Sequence, residues 1–377
     1  MAYWREASTV ILVAKSDSAE RLSHLQFDYE VLLLKRGSAL KFHSEQYVYP
    51  GGVVSTEDFD PKWAELFTKI SQCSIEDVSV ALSNESKFPP ILREDPESTI
   101  PRNIALRITA IRETFEEAGV ALVVSKPRCP SQHNTHQGFS MERTQLEAWR
   151  KKVIADPGMF IKMCEHFDVL PDVWSLVEWV NWLTPVMKPV NKPPKKPMRF
   201  DTMFFLCCTE HKPNVFIDGV ENTDCQWFTP ESLIWKRSQG EIVCGDPQAI
   251  ESLRMYNYLS LGDLWQFSVR RAMNFAVERF LVVIISCADG IITVHPHDDC
   301  YPQHPDIEGF HGVLSTPKTV AETRASCRYL NRIERTQEST SNRHICNLPE
   351  HKMCGHKLPA DVTIVVSNIQ KCLSAKL

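Results

Sequence analysis

The 377-residue chain lacks an excess of basic residues, a long apolar segment and any C-x-x-C cysteine pair. Its 42 Lys and Arg residues are outnumbered by 47 Asp and Glu residues, and the formal net charge of -5 gives no electrostatic basis for wrapping nucleic acid. The strongest apolar run, Phe280 to Ala288, is too short to span a bilayer. We therefore expect no membrane span, and a nucleic-acid partner is disfavoured.

The cysteines of the chain do not follow a recognisable disulfide pattern. The chain has 13 cysteines, an odd number, which does not indicate a set of disulfides and favours a reducing intracellular compartment. Residues 344–356 hold three His and two Cys side chains of the types that bind zinc, but their irregular spacing makes a structural zinc the less favoured interpretation. The first six residues lead directly into a predicted strand and do not have the layout of a signal peptide.

The most informative stretch is Arg112 to Val120, which ends a helix predicted from about Ile104 to Ala118. Apolar residues recur in this helix at spacings of four, three, four and three, which places them on one stripe. The stripe comprises Ile104, Ile108, Ile111, Phe115 and Ala118. Three glutamates, Glu113, Glu116 and Glu117, fall on the opposite side within an arc of ~100°. Gly119 is suited to a left-handed cap at the helix end.

Three carboxylates at positions i, i+3 and i+4 make a poor surface but a good site for a hard cation. Glu113 and Glu117 form a like-charged i,i+4 pair that costs a few tenths of a kcal/mol, and no Lys or Arg shares their arc. The helix C-terminus disfavours anions as well. The alternative is a solvated acidic face, but the pattern favours binding of a divalent cation.

Two segments together resemble the Nudix box. Arg112 to Val120 has the pattern R-E-x-x-E-E-x-G-hydrophobic of its second half, and Tyr49 to Val54 resembles the strand and loop that open it. Asp58, or neighbouring Glu57, stands where the family usually has Glu. The family places seven residues between that acid and the Arg, whereas 53 residues separate Asp58 from Arg112. An insertion therefore interrupts the box.

The resemblance implies the Nudix fold, an α/β/α sandwich with a mixed sheet, enlarged by insertions and followed by a small C-terminal extension. The predicted divisions are a Nudix domain over residues 8–276, insertions at about 59–103 and 125–175, and an extension over 277–377. Within the extension we predict a hairpin of Leu281–Ser286 against Ile291–His295, because Asp289-Gly290 is a turn signal. A last strand, Asp361–Val366, is predicted to pair with this hairpin.

A substrate motif precedes the two glycines. Coenzyme A diphosphatases of the Nudix family carry L-L-T-x-R-[SA]-x3-R-x3-G-x3-F-P-G-G here. Arg36 matches the first Arg, Lys41 replaces the second and Tyr49 replaces the Phe. The positions that depart from the motif are Leu34, Gly37 and Glu45. The resemblance implies that Arg36, Lys41 and Gly51 bind the substrate.

The implied reaction is cleavage of coenzyme A or acyl-coenzyme A, a small-molecule substrate, to 3′,5′-ADP and (acyl-)4′-phosphopantetheine. The departures from the motif leave open a diphosphatase for another nucleotide, such as NADH, ADP-ribose or an RNA cap. A catalytically inactive Nudix-like binding module is the third alternative, but loss of the glutamate cluster would have been its sign. Glu113, Glu116 and Glu117 are all present.

The resemblance also implies roles for the site residues. Glu113, Glu116 and Glu117 are the expected ligands of Mg²⁺ or Mn²⁺, with the Gly52 carbonyl as a further candidate.

The catalytic residues implied are Glu113, Arg112 and Glu221. Glu113 is the first candidate for general base and Glu221 the second, because one carboxylate must stay free to accept a proton. Arg112 is expected to orient the site through a bidentate ion pair with Asp58 or Glu57.

The last three residues, Ala375-Lys376-Leu377, resemble the Ser-Lys-Leu type of C-terminal peroxisomal address. They predict location in the peroxisome and recognition by a peroxisomal import receptor.

Overall fold

The computed structural model describes residues 4–16, 27–38, 45–83, 88–93, 98–126, 132–139, 142–185, 199–217, 219, 221–308, 312–337, 343–359, 361 and 365–370. The strands are β1 (Trp4–Lys15), β2 (Tyr29–Arg36), β3 (Tyr47–Val48), β4 (Gly51–Val53), β5 (Val123–Val124), β6 (Leu170–Pro171), β7 (Leu176–Leu183), β8 (Arg199–Thr209), β9 (Asn222–Phe228), β10 (Arg279–Leu281), β11 (Val283–Cys287), β12 (Gly290–Val294), β13 (Leu314–Ser315), β14 (Asn331–Thr336) and β15 (Arg343–Cys346). The helices are α1 (Lys62–Ser71), α2 (Ile75–Leu82), α3 (Arg102–Ala118), α4 (Arg143–Ala155), α5 (Met159–Phe167), α6 (Pro230–Ser238), α7 (Asp246–Met255), α8 (Leu261–Asn274) and α9 (Val320–Ala325). None of the helices in this described part of the chain is long and apolar enough to cross a membrane.

A mixed eight-stranded sheet forms the centre of the molecule. Its main path runs β10-β7-β8-β1-β2-β3, with β4 paired to β1 and β9 paired to β2. The central pair, β1 and β8, is parallel, and most of the other pairs are antiparallel. The apolar run Val10–Ala14 of β1 is fully buried, as expected for a strand covered on both faces.

Alternate residues of β1 enter two separate cores, which defines the layers. Val10 and Leu12 pack into the core shared with α3, whereas Ile11 and Val13 pack into the core shared with α7 and α8. Successive side chains of a strand point to opposite faces of its sheet, so α3 covers one face and α7 and α8 cover the other. The predicted α/β/α sandwich with a mixed sheet is confirmed.

Helix α3 is buried on nearly all sides. Side chains of the two insertions, including Trp63, Phe67 and Phe160, pack in the same core as its apolar stripe. Only Arg102, Glu113 and Glu116 of the helix are partly exposed. The alternative of a solvated acidic face is therefore wrong, because the insertions add an outer layer over the helix.

The C-terminal part forms a second sheet of five strands, in the order β13-β11-β12-β14-β15. The predicted hairpin is confirmed as β11 and β12, with Ser286 paired to Ile291. The strand before the hairpin, β10, instead joins the edge of the main sheet by pairing with β7. The division of the chain at residue 277 stays a prediction.

The predicted last strand, Asp361–Val366, is wrong for the residues that the structure describes, and residues 362–364 lie outside them. Asp361 forms only an isolated bridge to Ile345, and residues 365–370 are helical. Val365 and Ile369, four residues apart on one side of this helical segment, pack in a small core that also contains Ile234. Tertiary packing thus overrides the strand preference of the β-branched sequence run.

Candidate active site

The two halves of the box meet despite the 53 residues between them. Residues Thr56–Phe59 form a 3₁₀ turn that buries Asp58 against α3. Asp58 accepts hydrogen bonds from Arg112 Nε at 2.8 Å and Arg112 Nη2 at 2.9 Å, which is the expected bidentate ion pair. Thr109 Oγ1 and the Ser55 amide also donate to Asp58, at 2.7 and 2.9 Å. Asp58 therefore anchors Arg112 from a turn that immediately precedes the first insertion.

Two glycines allow β4 to lie directly against α3. The Gly51 amide donates to Glu117 Oε2 at 2.9 Å. A Cβ atom at Gly52 would lie 2.3 Å from Glu113 Oε2, and a Cβ atom at Gly51 would lie 2.2 Å from Thr9 Oγ1. Because neither position has space for a side chain, the close approach of this strand to the glutamates requires glycine.

Arg112 also binds the first two glutamates of the cluster. Its Nη1 donates to Glu113 Oε1 at 2.9 Å and to Glu116 Oε1 at 2.7 Å, and its Nη2 donates to the Val53 carbonyl at 3.1 Å. The expectation that no cation offsets these carboxylates is therefore wrong. The arginine side chain is long enough to reach round the helix from a neighbouring position.

Glu117 belongs to a second group of charges beside the first. It is buried, and its Oε1 lies 3.6 Å from Arg36 Nη1. Arg36 Nη2 in turn lies 3.3 Å from Oε1 of Glu221, whose side chain is half exposed. The structure thus brings together predicted site residues from three distant segments: the end of β2, the helix α3 and the loop before β9. Lys41 lies outside the described residues.

The nearby positive charge does not fully compensate for the burial of the three glutamates. Burial raises the pKa of Glu113 to about 7, although Arg112 acts in the opposite direction. Burial also raises the pKa of Glu116, and burial together with the charge of Glu113 raises the pKa of Glu117 well above its ordinary value. One guanidinium shared between carboxylates does not compensate for their loss of water.

Comparisons with known proteins agree with this geometry. The model of the NUDT19 Nudix domain matches residues 4–255, and the model of the NUDT19 C-terminal domain matches residues 284–346. The chain belongs to the Nudix hydrolase family. It is therefore an enzyme that hydrolyses a diphosphate bond, and Nudix hydrolases generally use divalent metal ions.

Three curated relatives cover most of the chain, and each is named "Acyl-coenzyme A diphosphatase NUDT19". The protein of Xenopus laevis is 35% identical over 324 residues, which cover 82% of this chain and 84% of the relative. The protein of Gallus gallus is 35% identical over 331 residues, covering 85% and 86%. The protein of Homo sapiens is 30% identical over 378 residues, covering 97% of each chain.

The donor set of the Nudix helix, α3, fits a hard divalent cation by its chemistry. It offers carboxylate oxygens, the ligands that Mg²⁺ and Mn²⁺ prefer, in a place where buried negative charge is undercompensated. The oxygens are not gathered round one point, because Glu113 and Glu116 turn to Arg112 while Glu117 turns to Gly51. The ligand roles of these residues, and that of the Gly52 carbonyl, stay predictions.

Arg150 of α4 is a residue that the sequence did not reveal. Its Nε donates to the Glu116 carbonyl at 2.8 Å, its Nη2 donates to the Glu117 carbonyl at 2.9 Å, and its Nη1 donates to the Phe216 carbonyl. The last carbonyls of a helix have no partner within the helix, so this guanidinium satisfies them. Arg150 thereby fixes the glutamate-bearing end of the Nudix helix. Its partners lie more than 30 residues away, and no local pattern marks it.

Proposed function

We propose that this Nudix hydrolase cleaves coenzyme A and acyl-coenzyme A to 3′,5′-ADP and (acyl-)4′-phosphopantetheine, with Mg²⁺ or Mn²⁺ as cofactor. The observation that carries the proposal is the position of Arg36, which matches the coenzyme A motif and lies beside Glu117 and Glu221. The names of the three relatives, each an acyl-coenzyme A diphosphatase, point to the same substrate.

Each charged residue of the site has its own role in the proposed mechanism. Glu113 is the first candidate for general base, because one carboxylate of the cluster must stay free to accept a proton. Glu221 is the second, since its side chain reaches solvent. Arg112 keeps Glu113 and Glu116 in place through its anchor on Asp58. A bound divalent cation would neutralise the diphosphate oxygens and polarise the attacking water.

Recognition of coenzyme A requires cations beyond those at the reacting diphosphate, because the substrate carries a further phosphate on its ribose. Among the described residues of the coenzyme A motif, Arg36 has a positively charged side chain that reaches the glutamate site. This side chain is 20% exposed. We assign Arg36 to a substrate phosphate, with Lys41 as its companion from the same motif and the Gly51 segment beside the diphosphate.

A substrate comparison tests this proposal. The values of kcat/KM are measured with Mg²⁺ for coenzyme A, dephospho-coenzyme A, NADH and ADP-ribose. We expect coenzyme A to be preferred and dephospho-coenzyme A to be cleaved less efficiently, because it lacks the ribose phosphate. A higher kcat/KM for NADH or ADP-ribose would overturn the substrate assignment. Glu116→Gln serves as the inactive control that excludes a contaminating phosphatase.

We also propose location in the peroxisome through an import receptor that binds Ala375-Lys376-Leu377, a segment outside the described residues. A fluorescent protein fused to the N-terminus should follow the full-length chain into peroxisomes. Deleting the three residues should disperse the fluorescence in the cytosol without changing specific activity. Import that persists after the deletion would contradict this assignment of the tail.

A further inference from the structure

Two cysteine side chains face each other in the C-terminal sheet domain, away from the glutamate site. Cys300 lies in the turn after β12, and Cys327 lies two residues after the end of α9. Their Sγ atoms are 3.4 Å apart, and both side chains are partly buried, so small reagents can reach them. A bond of about 2 Å would require only small rotations of the two side chains.

Hydrogen bonds through Asp299 hold the two segments in this position. The carboxylate of Asp299 accepts from the amides of Arg328 and Tyr329 at 2.6 and 2.9 Å, and the Asp299 amide donates to the Tyr329 carbonyl at 3.0 Å. The residue next to Cys300 is therefore bonded to the residue next to Cys327. The thiols are brought together by the fold before any bond forms between them.

A metal ion is a poor explanation for this pair, although Asp298 adds a third potential ligand within 4.8 Å of both sulfurs. Arg332 already donates to both oxygens of Asp298, at 2.7 and 2.5 Å. Its Nη2 also lies 3.2 Å from Cys327 Sγ. The fixed positive charge of Arg332 occupies the space between carboxylate and thiol where a cation would have to bind.

We propose that Cys300 and Cys327 form a reversible disulfide when the protein meets a peroxide. The Cys327 thiolate attacks one oxygen of hydrogen peroxide, the O–O bond breaks, and a sulfenic acid and a hydroxide ion form. The hydroxide takes up the proton that Cys327 released, giving the first water. The Cys300 sulfur then attacks the sulfenic sulfur, and the departing hydroxide takes the Cys300 proton, giving the second water. Two thiols and one peroxide become one disulfide and two waters.

The surroundings distinguish the two sulfurs. The thiol of Cys327 contacts the Thr323 carbonyl at 3.2 Å, and after deprotonation its sulfur accepts a hydrogen bond from the Arg332 guanidinium. Arg332 can therefore donate to the Cys327 sulfur while that sulfur attacks the peroxide. Burial and the contact with Cys327 together raise the pKa of Cys300 to about 11, so Cys300 stays protonated and acts second.

The bond would tie α9 to the loop between β12 and β13, which also contacts the main sheet. Tyr301, next to Cys300, donates from its hydroxyl to the Leu281 carbonyl of β10 at 2.9 Å, and β10 is the edge strand of the main sheet. Oxidation should therefore raise the thermal unfolding temperature of the C-terminal domain, because a cross-link reduces the freedom of the unfolded chain. It should leave the diphosphatase rate unchanged, because in the described part of the chain no hydrogen bond or ion pair joins this pair to Glu113, Glu116 or Glu117.

The test treats the full chain with hydrogen peroxide and then blocks the remaining thiols with an alkylating agent. Mass spectrometry should find a peptide pair joined through Cys300 and Cys327, two hydrogen masses lighter than the thiols and restored by dithiothreitol. Cys300→Ser should stop at a sulfenic acid on Cys327 that dimedone traps, whereas Cys327→Ser should form neither product. Cys225→Ser, at a partly buried cysteine of the main sheet, is the matched control and should cross-link like the wild type.

Two results would overturn the proposed disulfide. The first is alkylation of both thiols after peroxide treatment that already oxidises other cysteines. The second is binding of one Zn²⁺ per chain that protects Cys300 and Cys327 from alkylation. An unfolding temperature that peroxide does not change in the wild type, although the cross-linked peptides are present, would overturn the stabilising role given to the bond. Circular dichroism of each variant confirms beforehand that it is folded.

Discussion

Removing one ionisable group from the glutamate cluster should stabilise the metal-free enzyme while it abolishes turnover. The change is Glu113→Gln, which keeps the size of the side chain and an oxygen that can accept from Arg112. Burial, opposed only in part by Arg112, raises the pKa of Glu113 from 4.5 to about 7. The folded protein therefore holds this proton more tightly than the unfolded chain does.

The sign and size of the effect follow from proton linkage. Between pH 4.5 and about 7 the folded state binds more protons than the unfolded state, so stability falls as the pH rises through this window. A difference from 4.5 to about 7 corresponds to about 3 kcal/mol, which is lost in full above pH 7. Glutamine cannot ionise, and the variant should therefore be up to about 3 kcal/mol more stable than the wild type at pH 8. Below pH 4.5 the two proteins should be equally stable.

Urea unfolding in the presence of a chelator, at several pH values from 4 to 8, measures this difference. The exposed residue Glu65 provides the matched control, and Glu65→Gln should leave the slope of stability with pH unchanged. Addition of Mg²⁺ should stabilise the wild type by about 3 kcal/mol at a hundredfold excess over its Kd, and the variant by less. A Glu113→Gln protein that is less stable than the wild type at pH 8 without metal would refute the reasoning.

Four further substitutions test other parts of the site. Glu116→Gln and Glu117→Gln should each lower kcat on the order of 10²-fold while circular dichroism shows an intact fold, and near-normal hydrolysis at limiting Mg²⁺ would contradict the ligand roles. Arg150→Ala should lower the free energy of unfolding by about 3 kcal/mol in urea, because two helix carbonyls lose their donor, whereas exposed Lys151→Ala should not. Arg36→Ala should raise KM for coenzyme A more than it lowers kcat, and the opposite split in steady-state kinetics would count against a ground-state phosphate contact.

Sequence patterns predicted the helix and the hairpin that are determined by residues within them or next to them. The stripe from Ile104 to Ala118 and the cap at Gly119 placed the Nudix helix, and the structure begins it at Arg102 and ends it at Ala118. Gly119 adopts the left-handed conformation, with φ of 67°. The turn at Asp289-Gly290 placed the C-terminal hairpin in the same way. In each case the residues that determine the element lie within the element or next to it.

Features that depend on distant packing were not predictable. The outer cover of the Nudix helix, the reach of Arg112 to Glu113 and the clamp by Arg150 all depend on how far-separated segments meet. The segment Asp361–Val366 has the composition of a strand, yet part of it is helical where it packs against another core. The ion pair between Asp58 and Arg112 was predictable only because the family motif links two segments that lie far apart in the sequence.

Identification of the products formed from coenzyme A and Mg²⁺ tests the central claim most directly. Wild-type protein should release 3′,5′-ADP and 4′-phosphopantetheine in equal amounts, as separated by chromatography and identified by mass, and Glu113→Gln should release neither above background. Removal of only the ribose phosphate, to give dephospho-coenzyme A, would contradict the account. Equal product formation by the wild type and by Glu113→Gln would contradict it as well.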